Sequence, residues 1–213
     1  SSSDDDSILP FDTPLGQNFT EDSCPTFFKS FINEDEFIDC QPLSFLLQSS
    51  QSWFKLLKQG VYKISSALDD VCAVNVDTCA TLMDRLAVEL VSSDNCQADL
   101  NLQNPLVTSA YNSFTSYRML YSAGCIQSSS GAYCYVEAVS NSTNSGDLAL
   151  YFLPLDVSLP VNSSLSCNSC TENTLSVYYN YAGNTSLALS NTYVSAAKAL
   201  DSQCGSSAAQ TSV

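Results

Sequence analysis

Ten cysteines and not one histidine constrain this 213-residue chain more than any other feature. The cysteines are Cys24, Cys40, Cys72, Cys79, Cys96, Cys125, Cys134, Cys167, Cys170 and Cys204, an even number spread over the whole length. Zinc sites usually mix cysteine with histidine at tight paired spacings, and the only close pair here is Cys167 and Cys170. Five disulfides are therefore the expected use of the thiols, which places folding in an oxidising compartment. Spacing leaves the connectivity open; short separations suggest Cys24–Cys40, Cys125–Cys134 and Cys170–Cys204.

The missing histidine also limits the chemistry. Ser-His-Asp and Cys-His nucleophile systems, HExxH zinc sites and imidazole general catalysis are all closed, leaving carboxylates, tyrosines and lysines. Glu89, Glu137, Glu172 and Asp156 lie beside apolar residues and are the candidates for a glycoside hydrolase pair. A chain with 22 acids furnishes such pairs by number alone, and no carboxylate motif singles one out. Cys167-Asn168-Ser169-Cys170 has the spacing of a redox pair, but no thioredoxin-like βαβ pattern accompanies it and a structural role is expected. The acidic runs Asp4–Asp6 and Glu34-Asp35-Glu36 lack the alternating ligands and central glycine of a calcium loop. No catalytic residue, metal or cofactor is expected.

Four N-x-Ser/Thr triplets, at Asn18, Asn141, Asn162 and Asn184, accompany the cysteines and point to a eukaryotic secretory route with N-glycosylation. The net charge is −15, from 22 acidic against 7 basic residues. That makes nucleic acid an improbable partner and sets an overall repulsion from anionic membrane surfaces. Four of the five lysines nevertheless fall at Lys29, Lys55, Lys58 and Lys63; Lys55 and Lys58, one helical turn apart, form a small basic patch able to meet an anionic head group or to balance nearby acids. No apolar run approaches the length of a membrane span, and the start lacks a signal-peptide pattern, as in a mature product whose export signal has been removed.

Residues 1–22 are acidic and aperiodic and read as a disordered leader. From Ser23 to 205 a single domain is expected. Its helical signals are Phe27, Phe28, Phe31 and Ile32 on one face, a stripe of Leu43, Leu46, Leu47, Phe54 and Leu57 ended by Gly60, and Leu82, Leu86 and Leu90 repeating every four residues. Further helices are expected over about 61–70, from Asn104-Pro105 to Gly124, over about 170–182 and over about 187–202. Tyr133 to Val136 and Leu148 to Phe152, joined by a polar loop with the Asn141 triplet, read as a β-hairpin over about 132–155. Residues 206–213 are small and serine-rich, like the start of a linker or stalk. The expected fold is mainly α: a disulfide-stapled bundle of about six or seven short helices with that one hairpin.

Cys24-Pro25-Thr26-Phe27-Phe28, the run from Cys40 to Ser50, Tyr133-Cys134, Leu153-Pro154-Leu155, and Cys167-Asn168-Ser169-Cys170 before a tyrosine-rich helix resemble a fungal secreted cysteine-rich domain of unknown function, over roughly residues 24–205. The resemblance implies an exported glycoprotein at the cell surface or wall, often with a GPI signal after a serine-rich stalk, and brings no catalytic residue. This chain departs from the usual precursor in ending at Val213 without an apolar tail.

Three functions follow as expectations: a non-enzymatic surface or wall glycoprotein, with wall polysaccharide or other surface proteins as partners; a carrier of a sterol or fatty acid lined by Leu43, Leu46, Leu47, Phe54 and Leu57; and a carboxylate-based hydrolase of wall polysaccharide. A solid core would favour the first, an enclosed apolar cavity the second and an open acidic cleft the third.

Overall fold

The ten cysteines pair without remainder, as Cys24–Cys96, Cys40–Cys79, Cys72–Cys125, Cys134–Cys170 and Cys167–Cys204. None of the three pairings suggested by short separation forms. Proximity along the chain is a poor guide here because the partners are set by which helices dock together. The true partners lie 36 to 72 residues apart and tie different helices together. Loops of that length each restrict the unfolded chain by about 4 kcal/mol in chain-entropy terms.

The computed structural model describes residues 7–213, so Asp4–Asp6 lie outside it. Thirteen α-helices and two 3-10 turns make up the described residues. They are α1 Ser23–Phe31, α2 Asp35–Asp39, α3 Leu43–Ser49, α4 Gln51–Leu57, α5 Val61–Ala73, α6 Val76–Leu90, α7 Gln97–Asn101, α8 Pro105–Thr115, α9 Tyr117–Gly124, α10 Cys134–Ser140, α11 Gly146–Ala149, α12 Ser169–Ala182 and α13 Tyr193–Cys204. The 3-10 turns are Leu150–Leu155 and Ala188–Asn191.

The helix count is about twice that expected: serines split two of the expected helices, α10 and α11 stand where a hairpin was expected, and α2 and α7 are too short to show a period. Ser50 leaves α3 in an extended conformation, and its hydroxyl accepts the Trp53 N–H (3.0 Å) to cap α4. Ser116 divides α8 from α9 in the same stretch that reads as one helix. Asn104 caps α8 as its sequence predicts, its Oδ1 accepting from Leu106 N (3.0 Å) and Val107 N (3.3 Å) with Pro105 in the first turn.

The β-hairpin over 132–155 does not exist. Residues 134–140 and 146–149 are helical and 150–155 form a 3-10 turn; the only β feature among the described residues is an isolated bridge between Gln127 and Tyr133. Cys134, Tyr135, Val136 and Ala138 of α10 are all buried, and in seven residues only Glu137 and Ser140 mark a polar side, too little to show a 3.6-residue period. A short apolar run buried on all sides cannot be told from a strand by pattern, and its aromatic and β-branched residues tip the reading the wrong way.

Two apolar cores organise the helices. The first is made of residues 11 to 117 and is dominated by phenylalanine: Phe11, Phe27, Phe28, Phe31, Phe37, Phe45 and Phe114, with Met83, Leu86 and Leu90 of α6. Its rings meet edge to face, Phe45 against Phe114 at 4.8 Å and Phe31 against Phe37 at 5.1 Å between centroids. The second joins α3, α4, α5 and α9 to the entire C-terminal half around Trp53, Tyr135, Tyr151, Tyr178 and Tyr193. α3 serves both cores, with Phe45 turned to the first and Leu43, Leu46 and Leu47 to the second. α9 crosses α3 closely at Gly124, where an added Cβ would meet the Leu43 side chain at 2.4 Å.

The segment expected to hang free at the N-terminus is, from residue 7 onward, packed onto the domain. Phe11 is buried in the first core, the Asp12 carboxylate accepts the N–H groups of Gln51 and Ser52 at the start of α4, and Ser49 Oγ donates to Pro10 O (2.9 Å). The C-terminal tail also folds back. Tyr193 Oη donates to Gln210 O (2.6 Å) and Ala209 N donates to Asp201 Oδ1 (2.8 Å).

Candidate functional site

The residues expected to line an apolar cavity do not surround one. Leu43, Leu46 and Leu47 are buried against other side chains of the second core, Leu57 is half-buried beside them, and Phe54 is 40% exposed on the outer side of α4. The candidate carboxylates are likewise dispersed. Glu89 pairs with Arg85 one turn earlier on α6 (3.0 Å), Asp156 follows the 3-10 turn in a left-handed conformation (φ 66°) and accepts from Asn191 Nδ2 (3.2 Å), and Glu172 is exposed on α12. Cys167 and Cys170 are not bonded to each other, so the redox-like spacing holds two separate structural bridges. Glu34 stands at the N-cap of α2 with Asp35 and Glu36 in its first turn, where acids complement the helix dipole; Glu36 also faces Arg85 (3.6 Å).

One polar pocket does bring together groups with chemistry. The Cys134–Cys170 bridge holds α10 against α12, and the start of α11 and the 3-10 turn close the other side. Glu137, Asn141, Asp147, Tyr151, Asn168, Thr171 and Thr174 line it with Cys134, Ala138, Leu150 and Cys170. Glu137 is the sole member of the four sequence candidates found here; Asp147, its companion, lies in a polar stretch that reads as loop.

Both carboxylates are engaged by the protein. Ser128 Oγ donates to Glu137 Oε1 at 2.6 Å, and Glu137 Oε2 lies 3.6 Å from Cys170 Sγ, a disulfide sulfur with no proton to give. Asp147 is buried; Ser166 donates both its N–H (2.8 Å, to Oδ1) and its hydroxyl, and Asn141 Nδ2 approaches at 3.4 Å. Gly146 lets this turn close, since a Cβ there would lie 2.7 Å from the Ser164 carbonyl oxygen. Burial is the main cause that pushes the Tyr151 phenol above its ordinary range, with the Thr174 hydroxyl pulling the other way. The pocket has a volume of about 60 Å³, water-sized rather than sugar-sized. The arrangement pins the 141–147 loop to the start of α12; it does not present a carboxylate pair flanking a space for a glycosidic bond.

The four glycosylation triplets stand in unlike surroundings. Asn18, Asn162 and Asn184 are exposed. Ser186 donates its N–H (3.0 Å) and its hydroxyl (2.6 Å) to Asn184 Oδ1, leaving Nδ2 outward. Asn141 is half-buried and uses Nδ2, the nitrogen a glycan would occupy, to donate to Ser166 Oγ (3.2 Å) and Asp147. Among the described residues no cluster of three or more His, Cys, Asp or Glu is placed to hold a metal ion, and no helix is long and apolar enough to cross a membrane.

No curated protein and no solved structure matches this chain. Residues 8–213, which include the packed N-terminal segment and the folded-back tail, match the model of a domain of unknown function, DUF7729, and the chain belongs to that family.

Proposed function

We propose that this chain is an exported, N-glycosylated, non-catalytic surface domain whose partners are wall polysaccharide or other surface proteins. The observation that carries the reading is the way five disulfides close around two filled cores. Ten cysteines consumed in structural bridges suit an oxidising, extracellular setting, where they hold a fold built from many very short helices. The leucines suited to grip an apolar ligand are spent on core packing, and the pocket carboxylates on internal hydrogen bonds.

The test is to purify the protein from a eukaryotic secretory host, map glycopeptides, label thiols and analyse an organic extract. The expected outcome is no free thiol, glycans at Asn18, Asn162 and Asn184, an empty Asn141, and no stoichiometric lipid. A sterol or fatty acid at one per chain would replace this reading with that of a carrier. Turnover of a glucan, chitin or mannan that is lost in Glu137→Gln would replace it with that of a hydrolase.

A further inference from the structure

The net charge conceals a local reversal. Residues 40–68 contain no aspartate or glutamate, and within them Lys55 and Lys58 stand exposed on the last turn of α4 and at its C-cap. Among the described residues neither lysine makes an ion pair, whereas Arg85 and Arg118 do. The helix dipole favours cations at that end of α4, but it does not explain what surrounds them. Phe54 is 40% exposed, Val61 52% and Tyr62 84%, all on the tip where α4 turns into α5 through Gly60 at φ 101°. The inner faces of the same two helices are properly buried through Trp53, Leu56, Ile64 and Leu68. An aromatic ring, a valine and a nearly free tyrosine are therefore left outside by helices whose own core is complete.

We propose that this α4–α5 tip docks on an anionic lipid bilayer, with Phe54, Val61 and Tyr62 entering the interfacial layer and Lys55 and Lys58 meeting the phosphates. The apolar members argue for lipid over a soluble polyanion, which would satisfy the lysines and leave the rings in water. The exposure of all five side chains argues against an enclosed ligand, and none of them lines the polar pocket between α10 and α12. Lysine stems reach past the rings to keep their ammonium groups at head-group level.

Among the described residues, the acids on or next to α4 and α5 do not veto the contact. Asp12 engages the opposite end of α4. The next carboxylates along α5, Asp69 and Asp70, begin seven residues after Tyr62, about 10 Å along the axis against a screening length of about 8 Å at physiological ionic strength. Charge repulsion from the rest of the molecule weakens the attachment and orients it, so that only the tip faces the bilayer.

Sedimentation of the intact, disulfide-bonded chain with vesicles of phosphatidylcholine, with and without phosphatidylserine, tests the proposal. Binding is expected only with phosphatidylserine and is expected to decline with salt. Tyr62→Ser should abolish it without changing the melting temperature, because that side chain has almost no contacts to lose. Lys55→Gln with Lys58→Gln should weaken it about 25-fold, at roughly fivefold per lysine. Leu102→Ser, a change at another exposed apolar residue, should leave it unaltered. The proposal is overturned if wild-type protein stays in the supernatant at low salt, if Leu102→Ser is as damaging as Tyr62→Ser, or if Tyr62→Ser binds normally while a soluble polyanion competes, which would mark a charge-only site.

Discussion

The phenylalanine core and the tyrosine core do the same mechanical task with different chemistry. In the first, seven phenylalanines from residues 11 to 114 pack in tilted and edge-to-face contacts, with no polar atom on their rings to satisfy. In the second, tyrosines carry hydroxyls into the interior, and the structure must place each one. It succeeds for Tyr133, which donates to Asp69 (2.6 Å), and for Tyr193, which reaches the tail. It fails for Tyr178, whose hydroxyl is buried without a partner, as is the Trp53 ring nitrogen. The first core holds one such group, Tyr117, whose hydroxyl is buried without a partner and whose phenol is raised by burial above its ordinary range; the second holds several, so its stability depends more heavily on protonation.

The sharpest way to break the comparison is at the phenylalanine core. Phe114→Ala removes the ring between Phe31 and Phe45 and should cost about 3–5 kcal/mol in chemical denaturation. A loss below that of an ordinary surface change would mean the cluster is not a packed unit. Next comes removal of the Cys134–Cys170 bridge by paired alanines, worth about 4 kcal/mol in chain-entropy terms. Amide exchange should quicken in α10 and α12 while α1 and α6 stay protected; a uniform increase would show that the two cores open as one.

Gly146→Ala places a methyl group against the Ser164 carbonyl and should cost about 1–3 kcal/mol, again within the second region. An alkaline melt reads the chemistry directly. Burial pushes the Tyr135 phenol up to about 12 and raises those of Tyr151 and Tyr178 as well. The unfolded chain ionises these groups first, near their ordinary value of about 10, so their contribution is fully present below that pH and lost as pH rises towards the folded values. Each such phenol should remove about 1.4 kcal/mol per pH unit in that window. Ionisation of the Tyr135, Tyr151 or Tyr178 rings, followed residue by residue by NMR, well before the fold melts would refute the assignment. The smallest effect is Tyr178→Phe, which discards an unpartnered hydroxyl and should leave stability unchanged or raise it by about 1 kcal/mol.

The sequence was legible where caps and periodicity agree. Asn104-Pro105 marks the start of α8, and the four-residue leucine repeat marks α6, which Asn75 caps by accepting Thr78 N (3.1 Å). It was illegible where tertiary burial erases the pattern, as in α10, and where a lone apolar residue anchors an irregular segment, as Phe11 does for the N-terminal strap. The polar pocket was half visible: Glu137 stands out beside apolar neighbours, whereas Asp147 looks like loop polarity until Ser166, nineteen residues later, folds onto it. Disulfide partners obey the docking of helices, which spacing does not encode.

The five bridges also fix how the molecule carries a pull. Tension entering before Cys24 takes the shortest covalent route: along the backbone to Cys40, across to Cys79, back to Cys72, across to Cys125, on to Cys134, across to Cys170, back to Cys167 and out through Cys204. Residues 41–71, 97–124, 135–166 and 171–203 lie off this path and stay slack however hard the ends are drawn apart. The backbone on the path between Cys24 and Cys134 pays out at most about 110 Å without reduction. An exported chain cross-linked in this way would act as a tether with a built-in stop.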